Sequence, residues 1–254
     1  MNAERLRQAL ASRKVVYGTW VQTPSPEVVE MLGWSGWDFV ILDLEHGSYG
    51  AEGLRHLIRA AETSNAAPFV RVPLSSPHDV GKALDLGAVG IVTPGVTSAA
   101  AGASAVRLTR FPPHGSRGAS PSTRQLHYSA ISFTTLTAED AAQPLIVLQV
   151  EARLATTDLG GILEVDGVGV IFIGPYDLST SLGLPGQFDH PKVREAITEI
   201  VNRAGERNVA VGIWVPDAPS ARFWVEHGVR FVTVSNNELM LYGAAAELRR
   251  AVDG

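Results

Sequence analysis

A single (βα)8 barrel, the TIM-barrel form of an α/β fold, is the architecture this sequence predicts, and three observations predict it. Eight apolar runs of strand length recur along the chain. Most are apolar without interruption, as buried strands of a parallel sheet are, rather than alternating as half-exposed strands do. Segments of helical spacing or composition lie between them, and the 254 residues fit the ~250 that eight such units use.

The elements follow in order. The first strand is Val15–Val21, and the proline-led segment Pro26–Gly33 is its helix. Phe39–Leu44 leads into Ala51–Ser64, Phe69–Val72 into Pro77–Leu86, and Val89–Val92 into Ser98–Leu108. Leu145–Val150 and Val168–Ile173 are the fifth and sixth strands, and Val193–Glu206 is the next helical segment. Val209–Val215 is followed by Pro219–Glu226, and Phe231–Val234 by the alanine-rich helix Glu238–Val252. A doubly wound open sheet shares this alternation, but its G-x-G-x-x-G fingerprint is absent after the first strand. No composition shift marks a boundary, so residues 1–254 read as one domain. Arg110 to Pro144 breaks the rhythm: it is too long for a simple loop, so it is functional or hides short helices. Its opening, Phe111-Pro-Pro-His-Gly-Ser-Arg-Gly118, is rich in turn formers.

Composition narrows the function. Hydrophobic residues make up 45% and charged residues 19%, a globular balance that excludes disorder and coiled coil. No apolar run is long enough for a membrane span, and Met1–Val15 is too polar for a signal peptide. A net charge of −5 argues against a nucleic-acid or anionic-membrane surface. The absence of cysteine removes disulfides, thiol nucleophiles and thiolate metal sites. The expectation is a soluble cytoplasmic protein acting on a small molecule.

Barrel chemistry sits where strands end. Strand two ends Asp43-Leu-Glu45-His46-Gly, strand three Val70-Arg71-Val-Pro, strand five Gln149-Val-Glu151, and strand six Ile173-Gly174-Pro175-Tyr176-Asp177. Each residue alone has a structural reading: a carboxylate after a strand caps a helix, Glu151 pairs with Arg153, and Arg71 bridges strand ends. Together they crowd one rim with charges that are costly unless a metal or ligand balances them. Glu151 and Asp177 are hard oxygen donors on adjacent strands, which suits Mg²⁺ or Mn²⁺; the residue types alone leave Co²⁺ and Zn²⁺ open. His46, with Asp43 three residues earlier to orient its imidazole, forms a base-plus-orienter pair. Arg71 offers a permanent positive fork for an oxyanion. Backbone N–H groups of the Gly174–Asp177 turn are placed to hold a carboxylate. Gln149, Gly174, Tyr176 and Trp20 join the expected substrate lining, and Trp214 is a second candidate wall. The other histidines, in helices, connections or the irregular stretch, carry weaker signals.

Lysine usage separates two ways of stabilising a carbanion. A Schiff-base enzyme needs a buried lysine facing the barrel interior. The chain has three, Lys14, Lys82 and Lys192, and none falls at a strand end. A metal must then withdraw the electrons.

Taken as an ordered set, these motifs resemble the HpcH/HpaI aldolase family, the metal-dependent class II pyruvate aldolases. The resemblance runs over nearly the whole chain. It is carried by Gly18-Thr-Trp20, Asp43-Leu-Glu-His46-Gly, Val70-Arg71-Val-Pro, Leu84-Asp85-Leu-Gly-Ala88, Phe111–Gly118, Gln149-Val-Glu151 and Phe172-Ile-Gly-Pro-Tyr-Asp-Leu-Ser179. It implies a barrel that is often hexameric, with the last helix exchanged between partners. It also implies Glu151 and Asp177 as metal ligands, His46 with Asp43 as acid–base residue, and Arg71 at the enolate oxygen. Asp85 would approach a neighbouring subunit's site. Two departures bear on substrate identity: Ser235-Asn236-Asn237-Glu238 replaces the usual Gly-x-Asp turn, and Ala119–Gln143 matches no pattern.

The expected reaction is reversible cleavage of a 4-hydroxy-2-oxo acid to pyruvate and an aldehyde through a metal-stabilised enolate. Decarboxylation of oxaloacetate or a related 2-oxo diacid is the alternative, needing the same enolate but no C4 base. A phosphate-ester enzyme is disfavoured because strands seven and eight lack a glycine-rich cradle.

Overall fold

In the computed structural model, which describes residues 3–138, 143–152 and 157–253, eight parallel strands close into a barrel in sequence order. They are β1 Val16–Val21, β2 Phe39–Asp43, β3 Ala67–Arg71, β4 Gly90–Thr93, β5 Leu145–Val150, β6 Val170–Ile173, β7 Ala210–Val215 and β8 Phe231–Asn236. The helices are α1 Ala3–Ala11, α2 Pro26–Trp34, α3 Ala51–Thr63, α4 Pro77–Leu86, α5 Ala99–Thr109, α6 Phe133–Ala138, α7 Leu159–Leu163, α8 Pro175–Ser181, α9 Pro191–Glu206, α10 Ala218–Glu226 and α11 Asn237–Asp253.

Hydrophobic burial explains why these segments close. Phenylalanines of β2, β3, β6 and β8 fill the interior: Phe39 stacks on Phe231 at 4.0 Å between ring centroids and meets Phe69 edge-on at 5.5 Å. Glycines on other strands make room for these rings, as layers of a packed barrel require. A Cβ at Gly18 would enter the Phe39 ring, and one at Gly212 would lie 2.7 Å from the Phe172 ring. From below, α1 inserts the fully buried Leu6 against this core. Outside the barrel, the other strand faces pack on the helices through two clusters, one around Leu54, Leu57 and Leu84 and one around Ile171, Ile197 and Trp224. Both strand faces are thus covered, which accounts for the continuous apolar runs.

Several boundaries differ from the sequence expectation. The third strand starts at Ala67, and the last runs on to Asn236. Helix α1 lies within a segment that looked merely polar. The Gly174–Asp177 turn is the start of α8, with Pro175 at its first position, where a missing N–H costs nothing. Between Arg110 and Pro144, a 3-10 segment, Arg124–Ser129, and helix α6 bear out the expectation of hidden short helices. Residues 139–142 of that stretch, and Arg153, lie outside the described residues. Among the described residues no helix is long and apolar enough to cross a membrane.

Candidate active site

Strand register brings the first pair together. Asp43 and Arg71 are the last residues of β2 and β3 and are paired across the sheet. Arg71 Nε donates to Asp43 Oδ1 at 2.8 Å and Nη2 to Oδ2 at 2.6 Å. Such a two-point fork fixes the guanidinium plane. Asp43 is fully buried and Arg71 nearly so. Burial pushes the Asp43 carboxyl up, but Arg71, Gln22 and the Glu45 N–H outweigh it and hold the group below the ordinary carboxylate range. Beneath Arg71 lies Trp20, its ring centroid 4.4 Å from the guanidinium carbon and its Nε1 donating to Thr233 Oγ1 at 2.9 Å. Trp20 is 5% exposed, so it is the floor under Arg71 rather than an open wall of the pocket.

The Asp43 carboxylate does not orient the His46 ring as the sequence suggested. Its oxygens accept from Arg71, from Gln22 Nε2 at 2.9 Å, and from the backbone N–H groups of Glu45 and His46 at 3.0 and 3.3 Å. Asp43 therefore places His46 through the main chain, by capping the turn that carries it. The imidazole lies 4.0 Å from Glu45 Oε2, and Glu45 also reaches Arg71 Nε at 3.3 Å. The His46 side chain is 63% exposed, open to a ligand from the barrel mouth. Tyr49 braces the turn from behind, donating to the Val21 carbonyl at 2.8 Å and accepting from the Asp43 N–H at 2.6 Å. Burial pushes its phenol up, keeping it neutral.

A second cluster stands at β4, β5 and β6. Glu151 follows β5 and accepts from the Gly95 N–H at 2.7 Å through Oε1, while Oε2 accepts from Gln149 Nε2. Gly174 lets these side chains lie against β6: a Cβ there would sit 2.6 Å from Glu151 Oε2 and 2.9 Å from Gln149 Nε2. Burial, reinforced by the negative charge of Asp177, pushes the Glu151 carboxyl up to about 7. Asp177 is exposed in the first turn of α8. Gln149 is buried, and its Oε1 has no hydrogen-bond partner. Tyr176, half exposed, forms an aromatic group with Phe188 at 4.5 Å and Trp214 at 4.9 Å.

Asp85, expected to approach a neighbouring subunit's site, has a partner within its own barrel. Arg117 Nη2 donates to it at 2.7 Å. That buried arginine also donates to Gln125 Oε1 at 2.6 Å and lies over Phe111. Sequence reasoning missed Gln22, Tyr49 and the Gly95 N–H. Gln22 had a usable signal, being the first polar residue past an apolar strand. The side chain of Tyr49 and the main-chain donor at Gly95 had none. His56, His78, His114, His127 and His227 are exposed, and His190 caps α9 by accepting the Lys192 N–H. All three lysines are exposed and outside the barrel interior.

Comparison with known proteins places the whole chain in a family. Residues 16–241 match the family model described as HpcH/HpaI aldolase/citrate lyase. A 5-keto-4-deoxy-D-glucarate aldolase of Salmonella paratyphi C is 34% identical over 233 residues, 92% of this chain and 90% of that protein. The crystal structure of a family protein from Burkholderia cenocepacia superposes with a TM-score of 0.93 at 31% identity, covering 99% of this chain and 100% of the other. An HpcH/HpaI aldolase from Desulfitobacterium hafniense does so at 0.91 and 31%, covering 97% and 96%. On sequence and barrel alike, the chain belongs to the HpcH/HpaI aldolase/citrate lyase family, as a metal-dependent class II aldolase.

Proposed function

We propose that the enzyme cleaves a 4-hydroxy-2-oxo acid of the deoxy-sugar-acid type to pyruvate and an aldehyde, with both clusters of the rim acting on one substrate. The observation that carries this reading is the buried Asp43–Arg71 fork on the rim that also holds the raised Glu151 carboxyl. A fixed, desolvated cation is what a developing enolate oxygen requires.

Glu151 and Asp177 would hold the divalent cation. Their fit rests on the donor set: two hard carboxylates whose mutual repulsion a cation would relieve, beside the unpartnered Gln149 Oε1. Among the described residues no group of three or more histidines and carboxylates is arranged for a metal, so substrate oxygens and water would complete the shell. Mg²⁺ or Mn²⁺ suits such a site better than Zn²⁺ or Co²⁺. When bound, the cation supplies Lewis-acid polarisation of the 2-oxo group.

The chain's own residues do the rest. His46 takes the proton of the C4 hydroxyl, and Glu45 stabilises the resulting imidazolium. As the C3–C4 bond breaks, its electron pair passes into the C2 carbonyl, and Arg71 meets the charge on that oxygen. Return of the proton taken by His46, delivered to C3, completes pyruvate and restores the neutral imidazole. Gln149 and Gly174 shape the pyruvate end, with Trp20 acting only as the support under Arg71, while Tyr176 stands toward the aldehyde end. The three exposed lysines leave no imine route from within the barrel.

A homo-oligomer in the cytoplasm is part of this reading. The oligomer is supported by the exposed apolar side chains of α11, Leu241, Tyr242, Leu248 and Val252, which a single copy leaves in water. The test is pyruvate release from a hydroxy-oxo acid and from oxaloacetate, by wild type and by His46→Ala. Loss of the aldol reaction in the variant is expected. Activity on oxaloacetate alone, untouched by the substitution, would replace the aldolase reading with a decarboxylase.

A further inference from the structure

The Asp43–Arg71 fork is tied to two side chains that the mechanism does not use. Gln22, one residue past β1, donates from Nε2 to Asp43 Oδ2 at 2.9 Å, and its Oε1 accepts from Asn236 Nδ2 at 3.4 Å. Asn236 ends β8, and its Oδ1 accepts the Leu239 N–H in the first turn of α11 at 2.8 Å. The Gln22 main chain is held too, its N–H donating to Asn237 Oδ1 at 3.0 Å.

The order of donors is forced. An ionised carboxylate only accepts, so Gln22 must turn its NH₂ toward Asp43 and its oxygen toward Asn236. Asn236 must then present its own NH₂ to Gln22, while the Leu239 N–H holds the Asn236 oxygen on the other side. One polarity therefore runs from α11 through Asn236 and Gln22 to the carboxylate that grips Arg71. Asn236 and Asn237 lie in the Ser235–Glu238 segment, where the chain departs from the Gly-x-Asp turn of the family it resembles. There Ser235 takes a left-handed φ of 58° and its carbonyl accepts from Trp214 Nε1 at 3.2 Å.

We propose that Gln22 is a positioning residue for Arg71, acting through Asp43, and that Asn236 sets the Gln22 amide from the head of α11. This rests on the reading of Arg71 as the group that meets the enolate charge. Asp43 is fully buried, so water cannot replace the bond that Gln22 makes. A carboxylate left free to turn carries the fork with it, and misplacement of a charged group at a reacting centre lowers turnover steeply.

Two variants test the relay. Gln22→Leu keeps the length of the side chain and removes its donor. Asn236→Asp keeps the acceptor for the Leu239 N–H and removes the donor to Gln22. Each is expected to lower kcat by about 10-fold, the scale of one lost buried hydrogen bond, with KM and calorimetric metal affinity unchanged. In an Arg71→Ala background, Gln22→Leu is expected to add nothing, because both act at one point. Wild-type kcat in both variants, or a full further loss in that background, would overturn the relay. If Gln22→Leu does not fold, Asn236→Asp alone decides. Wild-type turnover by Arg71→Ala itself would instead overturn the enolate reading.

Discussion

Arg71 carries its charge where water contributes little: a tryptophan lies below it, a buried carboxylate grips one edge, and 8% of the residue is exposed. In such a setting a preorganised donor is worth several kcal/mol to a developing oxyanion, so Arg71→Ala should lower turnover by ~10²–10³. The divalent ion should still bind. Glu151→Gln and Asp177→Asn should instead weaken metal binding, measured by calorimetry without substrate. Equal loss of metal in all three variants would make Arg71 a structural partner of the ligands. Asp43 supports a pH prediction. Its carboxyl is held below the ordinary range when folded, so its stabilisation is present above the unfolded value of about 4 and lost as pH falls through the lower folded value. Urea midpoints from pH 6 to pH 2 should drop in wild type, and Asp43→Asn should flatten that drop while costing about 3–5 kcal/mol at neutral pH. At this scale the sequence placed Asp43, Arg71, Glu151 and Asp177 at the barrel rim, because the apolar runs show where the strands end and these residues are charged. It did not reveal what each touches. The expectation that Asp43 orients His46 failed because nearness in sequence stood in for contact, and a carboxylate with two oxygens satisfies the arginine fork and a turn first.

Elements were legible to the degree that burial imposes a pattern. All eight strands were visible as apolar runs because both faces of a barrel strand are covered, and the long helices because each buries one stripe. The short pieces were not. Helix α8 is hidden by Gly174-Pro175, which reads as a turn yet is an efficient helix start. Helix α1 is hidden by a mostly polar sequence, its tie to the core being the buried Leu6 with Ala9 and Leu10 packed beside it. The barrel interior adds a constraint that periodicity cannot show, namely which strand supplies the large residue and which the small one. Gly18 on β1 faces Phe39 on β2, with no room for a Cβ. Gly18→Ala should therefore overpack the interior and cost ~1–3 kcal/mol, against the small gain that replacing a strand glycine brings on an open face. Chemical denaturation of the variant checks this. A stability equal to or above wild type would mean that the Phe39–Phe231 stack shifts without strain.

The whole molecule leaves unfinished business on two faces. Leu241, Leu248 and Val252, at helical spacing on α11, are 70%, 69% and 75% exposed, and α2 adds Met31 and Trp34 at 63% and 67%. Apolar side chains in such a row belong against another surface. A second copy is the occupant expected from the family resemblance, and it would bring Asp85 of one subunit toward the pocket of the next. Within its own barrel, Arg117 already holds the Asp85 carboxylate. Asp85→Ala should then have two separable effects. Removing the carboxylate leaves a buried guanidinium short of one partner, which lowers stability. That cost is moderated because the Asp85 side chain is 37% exposed and water can take part of its place. Removing a group that meets the neighbour's substrate lowers aldol turnover in the folded, metal-loaded enzyme. Subunit mixing tells them apart: Asp85→Ala and Arg71→Ala enzymes, each nearly inactive, should recover activity on exchange, since some hybrid sites contain both residues. Placing charge on the α11 stripe by Leu241→Glu should dissociate the assembly in sedimentation and abolish that recovery. A monomeric Leu241→Glu enzyme with full activity would show that one barrel suffices, and Asp85 would then be only the anchor of Arg117.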